Sequence, residues 1–214
     1  MSSMEIIIFT TGYTPESKGT FRQTIMCSAI AREELDRLGN SGELFNYTML
    51  TIDTHHPEGY ICELCDNQYE QPYANAIACS DRQAAEFVSW IEAQEWYENT
   101  TVVLLGDHVS MATDFWDDID GYARRTYNCF LNVPERQDTS HLKNRIFDTL
   151  DYFPTILAAL DVEIEGNRLG FGTNLFSDRQ TLLEELGAEY AKELAKYSEY
   201  YVENFEKGSG GVGD

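Results

Sequence analysis

Hydrophobic positions along the chain follow first one period and then another, and each change of period marks an element. Residues 29–38 place Ile30, Leu35 and Leu38 at helical spacing and stop at Gly39. That pattern predicts a helix, followed by a turn through Gly39-Asn40-Ser41-Gly42. Leu44 to Ile52 is dense in strand formers and reads as a buried strand. Residues 53–78, punctuated by Pro57, Gly59 and Pro72, read as a long loop, a feature that in compact domains often carries function. Ser80-Asp81-Arg82-Gln83 resembles a capping box. The helix it opens runs to about Glu95, with Ala84, Phe87, Val88 and Ile91 on its apolar side. Thr100 to Leu105 is a short apolar, β-branched run, which predicts a central strand ending at Gly106-Asp107-His108. Strand, helix and strand in that order imply a parallel sheet.

Downstream, Thr126 to Val133 has the composition of another strand, and Asp151 to Leu160 that of a helix. Pro154 falls in that helix's first turn, where its missing N–H does no harm. Glu165 to Ser177 is a glycine-rich connection, and Thr181 to Phe205 is a long acidic helical pattern before a flexible tail, Gly208 to Asp214. Residues 1–28 show no clear period, and no internal repeat is visible.

Charge changes the picture next. Lys and Arg number 15 against 37 Asp and Glu, a formal net charge of -22. Such a surface repels nucleic-acid backbones and anionic headgroups, so no nucleic-acid partner is expected. No stretch approaches the ~20 apolar residues of a membrane span. The start of the chain has only the short apolar run Ile6 to Phe9 and lacks the form of a signal peptide. As given, the chain is expected to be soluble and to carry no address of its own.

Five cysteines are present: Cys27, Cys62, Cys65, Cys79 and Cys129. Cys62 and Cys65 make a C-x-x-C, but a zinc site wants a second pair or two well-spaced histidines, and neither is near in sequence. A structural disulfide among Cys62, Cys65 and Cys79, free thiols and a metal site all stay open.

Candidate chemistry gathers at strand ends. In parallel α/β sheets ligands sit beyond the carboxyl ends of the strands. Asp107 and His108 offer a carboxylate and an imidazole there, a pair suited to a divalent ion, and Asp107 serves equally as a local cap. Asp53-Thr54-His55-His56-Pro57 ends the preceding strand on the expected same edge, so one or both histidines face Asp107 and His108 or lie in a loop. His141 is read as a surface loop residue, or as substrate-facing should it lie near a metal site. Arg124 and Arg125 either pair with the acidic run Asp114 to Asp120 or hold an anionic headgroup.

Several stretches then carry a resemblance. They are Phe45-Asn46-Tyr47-Thr48-Met49-Leu50-Thr51-Ile52-Asp53-Thr54-His55-His56-Pro57, Ala78-Cys79-Ser80-Asp81, Val102 to His108, Asp151-Tyr152-Phe153-Pro154-Thr155-Ile156-Leu157, and Gly166 to Ser177. Over roughly residues 29–178 the chain is similar to the lipoteichoic-acid-synthase and phosphoglycerol-transferase branch of the alkaline-phosphatase/sulfatase superfamily. The resemblance implies an α/β fold: part of an α/β/α sandwich with a mostly parallel sheet, plus a C-terminal helix. It implies a divided chain, with residues 1–28 unassigned, 29–178 the C-terminal part of a sulfatase-like catalytic domain, 179–207 a helix and 208–214 a tail.

By resemblance, Asp107 and His108 are ligands of one divalent ion, usually manganese, and His55 contacts the transferred group. The implied reaction moves phosphoglycerol from phosphatidylglycerol to a glycan or polymer hydroxyl, through a threonine nucleophile, outside the cytoplasmic membrane. In the family, that threonine and a glutamate ligand lie far upstream of the matched stretches. Thr10, Thr11, Thr14, Thr20 and Thr24 have no matching context. The chain is therefore expected to be a part without its nucleophile, with an incomplete metal site and a missing N-terminal half as a possible partner. A hydrolase of phosphodiesters or sulfate esters, and a non-catalytic binding module, are the competing readings.

Overall fold

The structure, a computed structural model, describes residues 5–11, 24–55, 57, 59–112, 115, 123–135, 137–140 and 142–206. They form two compact units, residues 1–137 with 156–163, and residues 138–155 with 164–214.

The first unit is built on a four-stranded sheet. Its elements in chain order are β1 (Glu5–Thr11), α1 (Thr24–Gly39), β2 (Asn46–Thr51), α2 (Pro72–Glu92), β3 (Thr100–Gly106) and β4 (Asn128–Leu131). The strands lie in the order β2-β1-β3-β4. β1 is parallel to both β2 and β3, and β4 runs antiparallel to β3. The expected mostly parallel sheet is present, with one element the periodicity had not marked. β1 comes from Ile6 to Phe9, a run too short to show a period but with the composition of a strand covered on both faces.

α2 corrects the expected loop. It begins at Pro72, eight residues before the predicted capping box, and carries its proline at the first turn. Its buried positions Tyr73, Ala76, Cys79, Gln83, Phe87 and Ile91 continue one stripe at steps of three and four. Ser80 is therefore a residue of the helix interior and caps nothing. The loop before α2 closes on Asn75, whose side-chain oxygen accepts from the backbone N–H of Gln68 and of Tyr69, both at 2.9 Å.

The core joins Ala31 and Leu35 of α1, Met49 of β2, Phe87 and Ile91 of α2, Trp96, and Val102 of β3. Burying a side chain such as Leu35, Phe87 or Ile91 contributes about 1.5–3 kcal/mol. Alternation sends Thr101 to the other face of the sheet, where its hydroxyl donates to the carbonyls of Ala159 (3.2 Å) and Asn132 (3.3 Å). Ala159 ends α3 (Tyr152–Ala159), so helical residues cover both faces of the sheet. The α/β class follows from that layering. Gly39, the last residue of α1, is a steric requirement: a Cβ there would lie 2.3 Å from the Trp96 ring.

The second unit combines buried Leu175, Phe176 and Tyr190 with a set of buried polar contacts. A short hairpin pairs β5 (Arg168–Leu169) with β6 (Gly172–Thr173). Buried Asp151 accepts from the backbone N–H of Thr173 at 2.7 Å and of Asp148 at 3.1 Å. The Thr155 hydroxyl donates to the Asp151 carbonyl at 2.6 Å and accepts from the Leu175 N–H at 3.0 Å. Gly172 has no room for a side chain, because a Cβ would fall 2.0 Å from the Leu150 carbonyl oxygen. The Asp-x-x-Pro-Thr sequence is thus a clamp for the hairpin. Burial pushes the Asp151 carboxyl above its ordinary range, against the pull of its two backbone donors. Arg145 pairs with Glu184 at 3.0 Å and also donates to the carbonyls of Ser177 and Arg179.

The helical pattern of Thr181 to Phe205 is realised in pieces rather than as one run. Leu182–Leu186 stops at Gly187, which takes φ +56°, and Tyr190–Leu194 and Glu199–Tyr201 follow. No helix among the described residues is long and apolar enough to cross a membrane.

Two measurements test this account. Helix propensity favours Gly39→Ala by about 1 kcal/mol, whereas overpacking against Trp96 costs about 1–3 kcal/mol. The variant should therefore unfold at lower urea with an unchanged m-value, and a stabilised variant would contradict the contact. For Glu184, burial raises the carboxyl but Arg145 and the N–H groups of Thr181 and Ile146 outweigh it, leaving it below its ordinary 4.5. A depressed carboxyl gives stability that is present above its unfolded value and lost as pH falls through the folded one. Glu184→Gln should lower the second unit's stability at neutral pH by about 2 kcal/mol and flatten its loss in acid. Hydrogen exchange of residues 164–206 against pH reads both effects.

Candidate functional site

Parallel pairing decides where the candidate residues come together. Thr11 is in register with Thr51 on one side and with Gly106 on the other, so β2 and β3 end level at one edge of the sheet. With strands about 4.8 Å apart, the two ends are separated by roughly 10 Å. His55 follows β2 and Asp107 follows β3 on that edge. Thr10 and Thr11 close β1 between them, whereas Thr14, Thr20, His56 and His141 lie outside the described residues.

Asp107 uses its two oxygens differently. Oδ1 accepts from the backbone N–H of His108 at 2.8 Å, and Oδ2 stands 3.5 Å from His108 Nε2. The local cap and the ligand pair, alternatives in the sequence, are compatible because each takes a different oxygen. His108 Nδ1 is 2.8 Å from the carbonyl of Val109. Donation to that carbonyl puts the proton on Nδ1 and leaves the Nε2 lone pair for a cation. Two N/O donors on one tetrahedral ion at ~2.1 Å are about 3.4 Å apart, close to the spacing here. The pair therefore fits two neighbouring positions of one ion. Among the described residues, no third His, Cys, Asp or Glu ligand atom joins Asp107 and His108 within 4.8 Å, so His55 shares the edge but not their immediate ligand group.

The loops carrying these residues are tied together by a residue that sequence reading assigned to the long loop. The Tyr73 hydroxyl of α2 donates to the Thr54 carbonyl at 2.9 Å and lies 2.8 Å from Ser110 Oγ. Ser110 Oγ also accepts from the Ala112 N–H at 3.2 Å, and the Ser110 carbonyl accepts from Arg124 at 2.6 Å. Phe115 packs edge-on against the Tyr73 ring, with centroids 5.1 Å apart. Arg124 thus brings a cation to the β3 loop. Of the acidic run proposed to pair with it, only Phe115 is among the described residues. Between α2 and the sheet, the described residues line a cleft of about 290 Å³, including Thr51, Thr54, Ser80, Asp81, Phe87 and Gly106. The signal for Tyr73 was present in the sequence as the first member of the α2 stripe.

A second constellation joins the loop that leads into α2 to the helix itself. Cys62, Cys65 and Cys79 are free thiols whose sulfurs lie within 4.8 Å of one another. Burial alone would raise Cys62, but hydrogen bonds from Cys65, the Leu64 N–H and Cys79 outweigh it and hold the thiol below its ordinary value. Burial, then the bonds to its two neighbours and repulsion from Cys62, push Cys65 up to about 12.

Comparison with known proteins adds the following. Residues 13–162 match the family described as Sulfatase. Phosphoglycerol transferase I of Xanthomonas campestris pv. campestris is 35% identical over 156 residues, 69% of this chain and 21% of that protein. Phosphoglycerol transferase I of Citrobacter koseri is 31% identical over 155 residues, 69% of this chain and 19% of that protein. The chain thus spans about a fifth of the length of these curated relatives. The crystal structure of the lipoteichoic acid synthase LtaP from Listeria monocytogenes superposes with a TM-score of 0.60 at 16% identity, over 81% of this chain and 53% of that one. A protein of the alkaline phosphatase superfamily from Vibrio parahaemolyticus gives 0.54 at 15% identity, over 83% and 49%. These two likenesses establish the fold.

The Tyr73 bridge makes its own prediction. Tyr73→Phe keeps the ring contact and removes both loop bonds, a loss of about 1 kcal/mol. Amide exchange should rise together in residues 53–60 and 107–112, and a rise in one loop alone would break the proposed coupling.

Proposed function

The chain belongs to the sulfatase family, and from that membership we propose that its first unit carries the cation-holding edge of a domain that transfers phosphoglycerol. The donor in this reading is a phosphatidylglycerol-type lipid, and the acceptor is a hydroxyl of a glycan or growing polymer. Residues 29–178 are read as the C-terminal part of that domain, working outside the cytoplasmic membrane. The observation that carries the reading is the 3.5 Å spacing of Asp107 Oδ2 and His108 Nε2 on the edge shared with His55. Its direction toward phosphoglycerol comes from the relatives named above.

Asp107 and His108 would hold a divalent ion, manganese in this reading. When bound, the ion supplies positive charge against phosphoryl oxygens. The Val109 carbonyl keeps the His108 ring turned with Nε2 outward, and the His108 N–H keeps the Asp107 carboxylate in its plane. His55 donates to an oxygen of the phosphoglycerol group, and Arg124 adds a second cation beside the same loop. In a chain of net charge -22, such local cations are what lets an anionic headgroup approach. No nucleophile is assigned among the described residues.

Binding measurements test the proposal without requiring turnover. Manganese titration, followed by electron paramagnetic resonance, should show weak binding that Asp107→Ala weakens about 10-fold or more. With manganese present, glycerol phosphate should bind, and His55→Ala should weaken it by roughly 10-fold, the loss of one charge-assisted hydrogen bond. Glycerol phosphate binding that ignores both manganese and His55 would sink the assignment. Preference for a sulfate ester over glycerol phosphate would favour a sulfate-ester hydrolase instead.

A further inference from the structure

We propose that Cys62, Cys65 and Cys79 together bind one soft or borderline divalent cation of the zinc class, stapling the loop after β2 to α2. Cys62 Sγ is 3.4 Å from Cys65 Sγ and 3.6 Å from Cys79 Sγ. Two thiolates on one tetrahedral zinc at ~2.3 Å are about 3.8 Å apart. A disulfide joins two sulfurs at about 2.05 Å and needs only two of them. Here three sulfurs converge at ligand-like spacing, from two places far apart in the chain.

Several hydrogen-bond donors face the three sulfurs. The backbone N–H of Cys62 donates to Cys65 Sγ at 3.2 Å, and the Cys65 N–H closes the turn onto the Cys62 carbonyl at 3.1 Å. Gln83 Nε2, buried on α2, reaches Cys79 Sγ at 3.3 Å and Cys62 Sγ at 3.8 Å. Arg82 points a guanidinium nitrogen at Cys79 Sγ from 3.7 Å, while it holds Asp66 at 2.9 Å and the Leu64 carbonyl at 2.6 Å. Donors of this kind orient thiolate ligands and balance their charge. Three thiolates and a divalent cation leave one negative charge, and Arg82 stands beside it. Binding would release the thiol protons to solvent. Three protein ligands leave a fourth position for water or an added ligand. The Cys62–Cys65 segment continues the chain that leaves β2 through His55, so an ion here fixes the far end of the His55 loop.

The whole chain, reduced and stripped of metal with a chelator, is the material for the test. One equivalent of cobalt(II) should raise thiolate-to-metal charge-transfer absorption and tetrahedral d–d bands, both abolished by one equivalent of zinc(II). Cys65→Ser should weaken binding at least about 100-fold, the upper end of what even an outer-sphere partner costs, while Cys129→Ser leaves it unchanged. On the unmutated chain, zinc should shield Cys62, Cys65 and Cys79 from alkylation, while Cys129 reacts equally with and without metal. The proposal is overturned if the reduced chain gives no charge-transfer band, or if the band survives Cys65→Ser. It is equally overturned if mass spectrometry finds a disulfide among the three cysteines and the reduced chain then takes up no metal.

Discussion

One phenolic oxygen governs the candidate site. Tyr73 reaches from the first turn of α2 to the Thr54 carbonyl and to Ser110 Oγ, and those atoms belong to the loops that follow β2 and β3. Parallel pairing makes the strand ends level, but strands fix only the last residue of each, and His55 and His108 lie beyond that. Two hydrogen bonds to a rigid ring convert a shared edge into a defined arrangement. Ser110 passes the constraint on through its carbonyl to Arg124.

Cations are scarce in this chain, and three of its arginines tie loops to other segments. Arg145 serves Glu184 and two carbonyls, Arg168 serves Glu185 and the Gln180 carbonyl, and Arg82 serves Asp66 and the Leu64 carbonyl. Each joins a carboxylate and at least one backbone carbonyl of a separate segment. With 15 basic against 37 acidic residues, most carboxylates of the chain have no basic residue to pair with.

What the sequence disclosed follows from the kind of signal each element carries. β2, β3 and the Asp107-His108 turn were legible because apolar β-branched runs end at glycine or polar residues in an unmistakable way. The start of α2 was not, because Pro72 and two cysteines look like loop punctuation, and the stripe becomes visible only when Tyr73 and Cys79 are counted with Phe87 and Ile91. β1 was missed because a short apolar run has no measurable period. The last helical stretch, Thr181 to Phe205, is broken where Gly187 takes a positive φ, which ends the helix Leu182–Leu186. Cys79 was grouped with the C-x-x-C from its nearness in sequence, but its place within α2 shows only in the structure.

The contrast between the two units has a thermodynamic consequence. The first buries leucine, phenylalanine, isoleucine, tryptophan and valine against one another, and the second buries Asp151, Thr155, Thr173, Asn174 and Thr181 with few large apolar side chains. Apolar exposure raises the heat capacity on unfolding and polar exposure lowers it. The second unit therefore opens with a small heat-capacity increment for its size. Its stability should accordingly vary less with temperature than that of the first.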